Sequence, residues 1–161
     1  IRRQRQMCIR DRHKDARLEL LVENIIKELD SYDGLGEVGL DFFKCKDTKQ
    51  LQIDFLERLL DKEAVRLKPT VFHCVKAYNE LLSLTKKLEK KILHGFYSSR
   101  QVAKTFIDSG FYLSLGPMYL NGHKDDVIKY ETPTNILILF LNLIEVDFKP
   151  IISSSTISCA P

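Results

Sequence analysis

The sequence predicts an α/β protein with a parallel sheet covered by helices. Three observations carry this: helical and strand-like segments alternate along the chain, the strand candidates are short and apolar with little alternation, and no glycine-rich phosphate loop follows any of them. Alternation with apolar strands leaves an open doubly wound sheet or part of a (β/α)8 barrel. The missing loop favours the barrel, and because a full barrel takes about 250 residues, five strands in 161 residues make a partial one.

Residues 16–29 place Leu18, Leu21, Val22, Ile25, Ile26 and Leu29 at helical spacings of three and four. Tyr32, Asp33 and Gly34 form a turn into a strand at 35–40. Residues 49–67 read as the next helix, with Leu51, Phe55, Leu56, Leu59, Leu60 and Leu67 on one side, stopped by Pro69. Then follow a strand at 70–72, a helix at 77–88, a strand at 91–93, a helix at 99–109, and strands at 111–115 and 136–146. The last is the longest apolar run. Asn142 and Glu145 interrupt it, and it falls short of the roughly 18 residues a membrane helix needs.

Composition bounds the rest. A chain that is 44% hydrophobic and 29% charged suits one ordinary soluble domain. Residues 1–12 hold five Arg and one Asp, hence +4 against a net charge of +3, which leaves the remainder at −1. Bulk charge therefore gives no argument for nucleic-acid binding. Segment 1–12 has no usable apolar periodicity and reads as a non-native basic flank, with the domain at 13–150 and a Pro/Ser-rich frayed tail at 151–161. The cysteines at 8, 45, 74 and 159 form no close pair and no disulfide framework, so a reducing compartment is expected. With no signal peptide in view, the expected location is cytoplasmic.

Four apolar segments each run into one side chain that can bind a metal: Glu37 in LGEV, His73 in TVFH, His94 in ILH and Asp147 in LIEVD. In a parallel α/β fold the carboxyl ends of successive strands lie on one rim, so these four are expected to converge. Two imidazoles and two carboxylates suit zinc, manganese or magnesium. Singly, each has a plainer reading: a hydrogen-bonded neutral histidine, a helix-capping Glu37, a turn residue at Asp147 before Pro150. The recurrence is what favours the metal. His13 and His123 read as loop residues, Cys74 as a core cysteine, and Lys86, Lys87, Lys90 and Lys91 as a solvated helix end.

The motif GEVGLD (36–41) followed by Phe42 and Phe43 resembles the G-E-[IV]-G-L-D block of the TatD family of metal-dependent deoxyribonucleases. PTVFHC (69–74), ILHGF (92–96), FYLSLG (111–116) and LIEVD (143–147) are similar, in order, to that family's later strand motifs, so the resemblance covers residues 16–150. It implies a (β/α)8 barrel of which this segment is strands four to eight. It also implies two divalent ions, Mg, Mn or Zn, acting on DNA, chiefly at single-stranded ends, with no membrane and no protein partner. By that resemblance Glu37 bridges the ions, His73 and His94 bind one, and Asp147 binds the other and accepts the proton of the attacking water. Lys76 is a candidate for holding phosphate. The family's opening H-x-H pair does not occur, so the chain reads as truncated at both ends, binding metal weakly and hydrolysing DNA slowly or not at all. The Thr of the family's E-T-D block is Val146 here, and an Arg common two residues after the histidine is Val75. The alternatives are a catalytically silent barrel-derived module, or a metal-dependent hydrolase acting on another phosphate or amide.

Overall fold

The computed structural model describes the backbone of residues 2–115, 136–137 and 150–151, and the side chains of 16–115. The elements are α1 (Arg2–Leu29), β1 (Gly34–Asp41), α2 (Lys49–Leu60), α3 (Glu63–Arg66), β2 (Thr70–Val75), α4 (Tyr78–Leu84), β3 (Lys91–Leu93), α5 (Arg100–Asp108), β4 (Phe111–Ser114), β5 (Ile136–Leu137) and β6 (Pro150–Ile151). The described strands form one sheet in the order β5-β4-β3-β2-β1-β6, and every pair is parallel. Parallel neighbours joined through helices are what the alternating pattern requires. All strand carboxyl ends therefore share one rim.

The core lies between sheet and helices. Leu35, Leu40, Phe72, Leu93, Phe111 and Leu113 project from the strands, while Val22, Leu29, Leu56, Leu59, Leu81 and Phe106 meet them from the helices. Burying each such side chain fully contributes roughly 1.5–3 kcal/mol. Phe106 and Phe111 meet edge to face at 4.9 Å, and Phe72 and Phe111 at 5.9 Å, an arrangement that suits the ring quadrupoles. Glu19 ties α1 to the end of α2 through Lys62 at 2.7 Å and Arg58 at 3.8 Å.

Several expectations are corrected. Helix α1 begins at Arg2, so the segment 1–12 expected to lack an element is largely helical. Leu21 is exposed, and the buried stripe of α1 is the narrower Leu18, Val22 and Leu29. The helix expected over 49–67 breaks where Lys62 adopts extended backbone; α3 restarts at Glu63, and Leu67 beyond it is exposed. β2 runs on to Val75 because Cys74 and Val75 pair with Leu40 and Asp41 of β1. Helix α4 is shorter than expected and stops at Thr85, whose hydroxyl donates back to the Leu81 carbonyl at 2.8 Å. Pro150 and Ile151 form a strand beside Gly34 and Leu35, so the start of the expected frayed tail is paired. Of the strand expected at 136–146, residues 138–146 lie outside the described residues.

Lys91 is a further correction. Unlike its exposed neighbours Lys86, Lys87 and Lys90, it is buried at the start of β3. Its ammonium donates to the Ser109 carbonyl at 2.6 Å and lies 5.0 Å from the Phe111 ring centroid. Burial lowers its pKa. It fastens the end of α5 beneath the sheet. Cys45 is disulfide-bonded, against the expectation of no such pairing; its partner lies outside the residues whose side chains are described.

Strands β1 and β2 approach most closely at two glycines. A Cβ on Gly39 would fall 1.8 Å from the His73 carbonyl oxygen, and one on Gly36 would fall 2.6 Å from the Val71 Cβ. The first obstacle is backbone and cannot rotate away. Gly39→Ala is therefore expected to lower stability by about 1–3 kcal/mol or more, the range for overpacking a filled site. Thermal or urea unfolding measures it, and an unchanged midpoint contradicts the close approach.

Candidate metal centre

The register of β1 on β2 builds the site. Leu35 pairs with Thr70 and Val38 with Phe72, so three steps on β1 match two on β2, and the extra residue bulges at Gly36 and Glu37. A bulge re-aims side chains, and here it exposes Glu37 between buried Gly36 and Val38. Gly39 then pairs with His73. Glu37 lies two residues before this pair and Asp41 two after, so period-two geometry sets both carboxylates to one side with a side-chain-free residue between them.

The His73 imidazole occupies that space. Its Nδ1 is 3.7 Å from Glu37 Oε1 and its Nε2 is 3.7 Å from Asp41 Oδ2, contacts of charge rather than short hydrogen bonds. Its partner Asp41 is largely covered. Asp41 Oδ1 accepts the backbone N–H groups of Phe43 at 2.9 Å and Lys44 at 2.8 Å. Behind it, buried Gln52 accepts the Asp41 N–H at 2.7 Å and donates to the carbonyls of Asp41 and Cys45. The loop leaving β1 is thus fixed by one amide side chain from α2.

The electrostatics follow from these contacts. Glu37 is held below its ordinary pKa chiefly by its pairing with His73, against the opposing effect of burial, with the charge of His94 adding to the shift. Burial works against ionised Asp41, yet the Lys44 and Phe43 N–H groups and His73 outweigh it, so its pKa is also lowered. His73 is raised, first by Glu37 and then by Asp41, although burial opposes this. Burial pushes the Cys74 thiol up to about 12, which makes it a core thiol and not a nucleophile.

Of the four residues expected to converge, Glu37 and His73 are adjacent, and half-buried His94, whose N–H donates to the Phe72 carbonyl at 2.8 Å, is near enough to act on Glu37. Asp147 lies outside the described residues. Lys76 is exposed at the end of β2 with a φ of 58°, a left-handed conformation costly for a side chain with a Cβ. Sequence reasoning missed the part played by Asp41 and Gln52. Asp41 had a signal, since it sits four residues after Glu37 on the same strand; Gln52 had none beyond its place on the inward face of α2.

The matched family model is the TatD related DNase family, over residues 9–138. The chain belongs to that family. An uncharacterized metal-dependent hydrolase of Buchnera aphidicola is 30% identical over 112 residues, covering 63% of this chain and 42% of the relative. The uncharacterized metal-dependent hydrolase YabD of Bacillus subtilis is 29% identical over 124 residues, covering 71% and 48%. Among solved structures, the TatD homolog YJJV of Escherichia coli superposes with a TM-score of 0.63 at 23% identity, over 74% of this chain and 50% of that one. The chain spans less than half the length of these curated relatives. The structural likeness supports the barrel-like parallel α/β fold.

The donor types at the rim suit a divalent ion: one half-exposed carboxylate, one imidazole beside it and a second imidazole close by. Among the described residues, no three His, Cys, Asp or Glu side chains are close enough to hold a metal by themselves. The residues present fit such an ion in donor chemistry.

The linkage between Glu37 and His73 has a pH signature in metal-free protein. His73, raised above 6.5, contributes stability that is full below 6.5 and lost as pH rises through its folded pKa. Glu37, lowered below 4.5, contributes stability that is full above 4.5 and lost as pH falls through its folded pKa. The destabilisation caused by Glu37→Gln should thus be greatest between about pH 4.5 and 6.5 and shrink at alkaline pH. Thermal melts in chelator at pH 5.5 and 8.5 measure this; an effect that grows with pH contradicts it.

Proposed function

We propose that this chain is the strand-four-to-eight arc of a TatD-type (β/α)8 barrel, and that the rim around Glu37 and His73 serves divalent-metal-dependent hydrolysis of DNA phosphodiester bonds. The observation that carries the reading is the carboxylate–imidazole pair at 3.7 Å on the carboxyl ends of adjacent parallel strands, in a chain that belongs to this family. The relatives in Buchnera and Bacillus carry the description metal-dependent hydrolase, which supports the same chemistry here. No described helix is long and apolar enough to cross a membrane.

In this reading Glu37, His73 and His94 hold metal together with Asp147. Divalent ions there, Mg, Mn or Zn and two in number, supply charge for the phosphoryl oxygens and lower the pKa of water toward neutrality. The protein's own contribution is placement. Asp41, fixed by two backbone N–H groups and by Gln52, orients the His73 ring in the way outer partners commonly orient metal-binding imidazoles. Lys76, exposed just past β2 with a left-handed backbone, is the proposed phosphate contact, and Asp147 the proposed proton acceptor.

One observation favours the silent-module alternative. Both ring nitrogens of His73 face carboxylates, which fits a rim that has kept its shape without turnover. Hydrolysis of a labelled single-stranded DNA end, with Mg, Mn or Zn restored after chelation, separates the two. The expected result is slow, metal-dependent turnover that falls at least about ten-fold in Glu37→Gln and His73→Asn, the lower bound for disturbing a metal's supporting groups. Turnover unaffected by chelation or by these variants contradicts the metal reading; metal binding without any turnover supports the silent module.

A further inference from the structure

We propose that Phe43 and Tyr97 form a two-sided stacking platform that grips the unpaired terminal bases of a single-stranded DNA substrate. This rests on the nuclease reading above and deepens it.

Two rim loops share a pattern. After β1, Phe42 is buried and Phe43 is 59% exposed; after β3, Phe96 is buried and Tyr97 is 50% exposed. In each loop the first aromatic anchors the chain to the core and the second is presented to solvent. The only other large exposed aromatic among the described residues, Tyr112, lies within β4 and not on a rim loop.

Topology places the loops that carry the two rings on either side of β2. β1 and β3 flank β2, whose carboxyl end carries His73 and is followed by Lys76. Adjacent strands are about 4.8 Å apart, so the ends of β1 and β3 stand about 10 Å apart with β2 between them. Exposed rings on loops that leave those ends suit the bases of one strand. Basic groups stand beside the rim as well: the Lys46 ammonium lies over one face of the Phe43 ring, 5.8 Å from its centroid, and Lys76 is exposed just past the end of β2. Basic groups interleaved with exposed aromatics are the working parts of single-strand binding, the cations tracking phosphates and the rings stacking on bases without sequence preference. Inside a duplex each base is stacked between its neighbours and cannot be taken between two rings, so duplex DNA gains little from this platform.

Binding of a fluorescein-labelled oligothymidylate, followed by anisotropy in chelator so that no hydrolysis intervenes, tests the proposal. Phe43→Ala and Tyr97→Ala are each expected to weaken binding about five-fold or more, while Tyr97→Phe retains it and duplex binding changes little. Thermal melts check folding, which truncation of half-exposed rings should leave intact. Unchanged oligothymidylate binding in the double variant, or an equal loss for duplex, overturns the platform. Loss of binding in the variants of a protein that shows no metal-dependent hydrolysis supports the platform and overturns only the nuclease reading.

Discussion

The site depends on one steric fact, the absence of a side chain at Gly39. Only glycine lets β1 lie against the backbone of His73, whose carbonyl oxygen, carbon and nitrogen a Cβ there would strike, and this register brings the imidazole beside Glu37 and Asp41. The shifts of Glu37 and His73 follow chiefly from their mutual contact, whereas that of Asp41 rests on the Lys44 and Phe43 N–H groups, which outweigh its burial. Gln52 and the same two N–H groups hold the loop after β1. A parallel sheet supplies the rim, while the glycine and the bulge at Glu37 decide which side chains meet on it.

The α/β class and most element positions were legible because apolar spacing and strand–helix alternation report burial directly. The helix breaks were not. Lys62 carries no residue-level stop signal, and the extended backbone that separates α2 from α3 is set by tertiary packing. Lys91 was misread for a related reason: composition marks a lysine cluster as solvated, whereas the Ser109 carbonyl and the Phe111 ring make one of its members a buried fastener. At the site, strand endings pointed to Glu37, His73 and His94 because parallel topology carries such residues to one edge. Asp41 was legible only from its spacing after Glu37, and Gln52 acts mainly through backbone partners, which leave no trace in residue type.

The last described strand closes one edge of the sheet. The strands from β1 to β5 run across the sheet in chain order, and β6 returns to the opposite edge beside Gly34 and Leu35. That pairing satisfies backbone groups at the start of β1 that an open edge would expose to another chain. Farther along β1, Val38 to Asp41 pair with Phe72 to Val75 of β2.

The most direct test of the central claim is where a paramagnetic ion binds. Titrating Mn²⁺ into isotopically labelled protein, with long-range nitrogen–proton spectra of the histidine rings, locates the ion by selective line broadening. The account predicts that the His73 and His94 ring signals broaden first and together, and that Glu37→Gln abolishes this at the same metal concentration. Broadening that spares both rings, or that survives loss of the Glu37 charge unchanged, contradicts it.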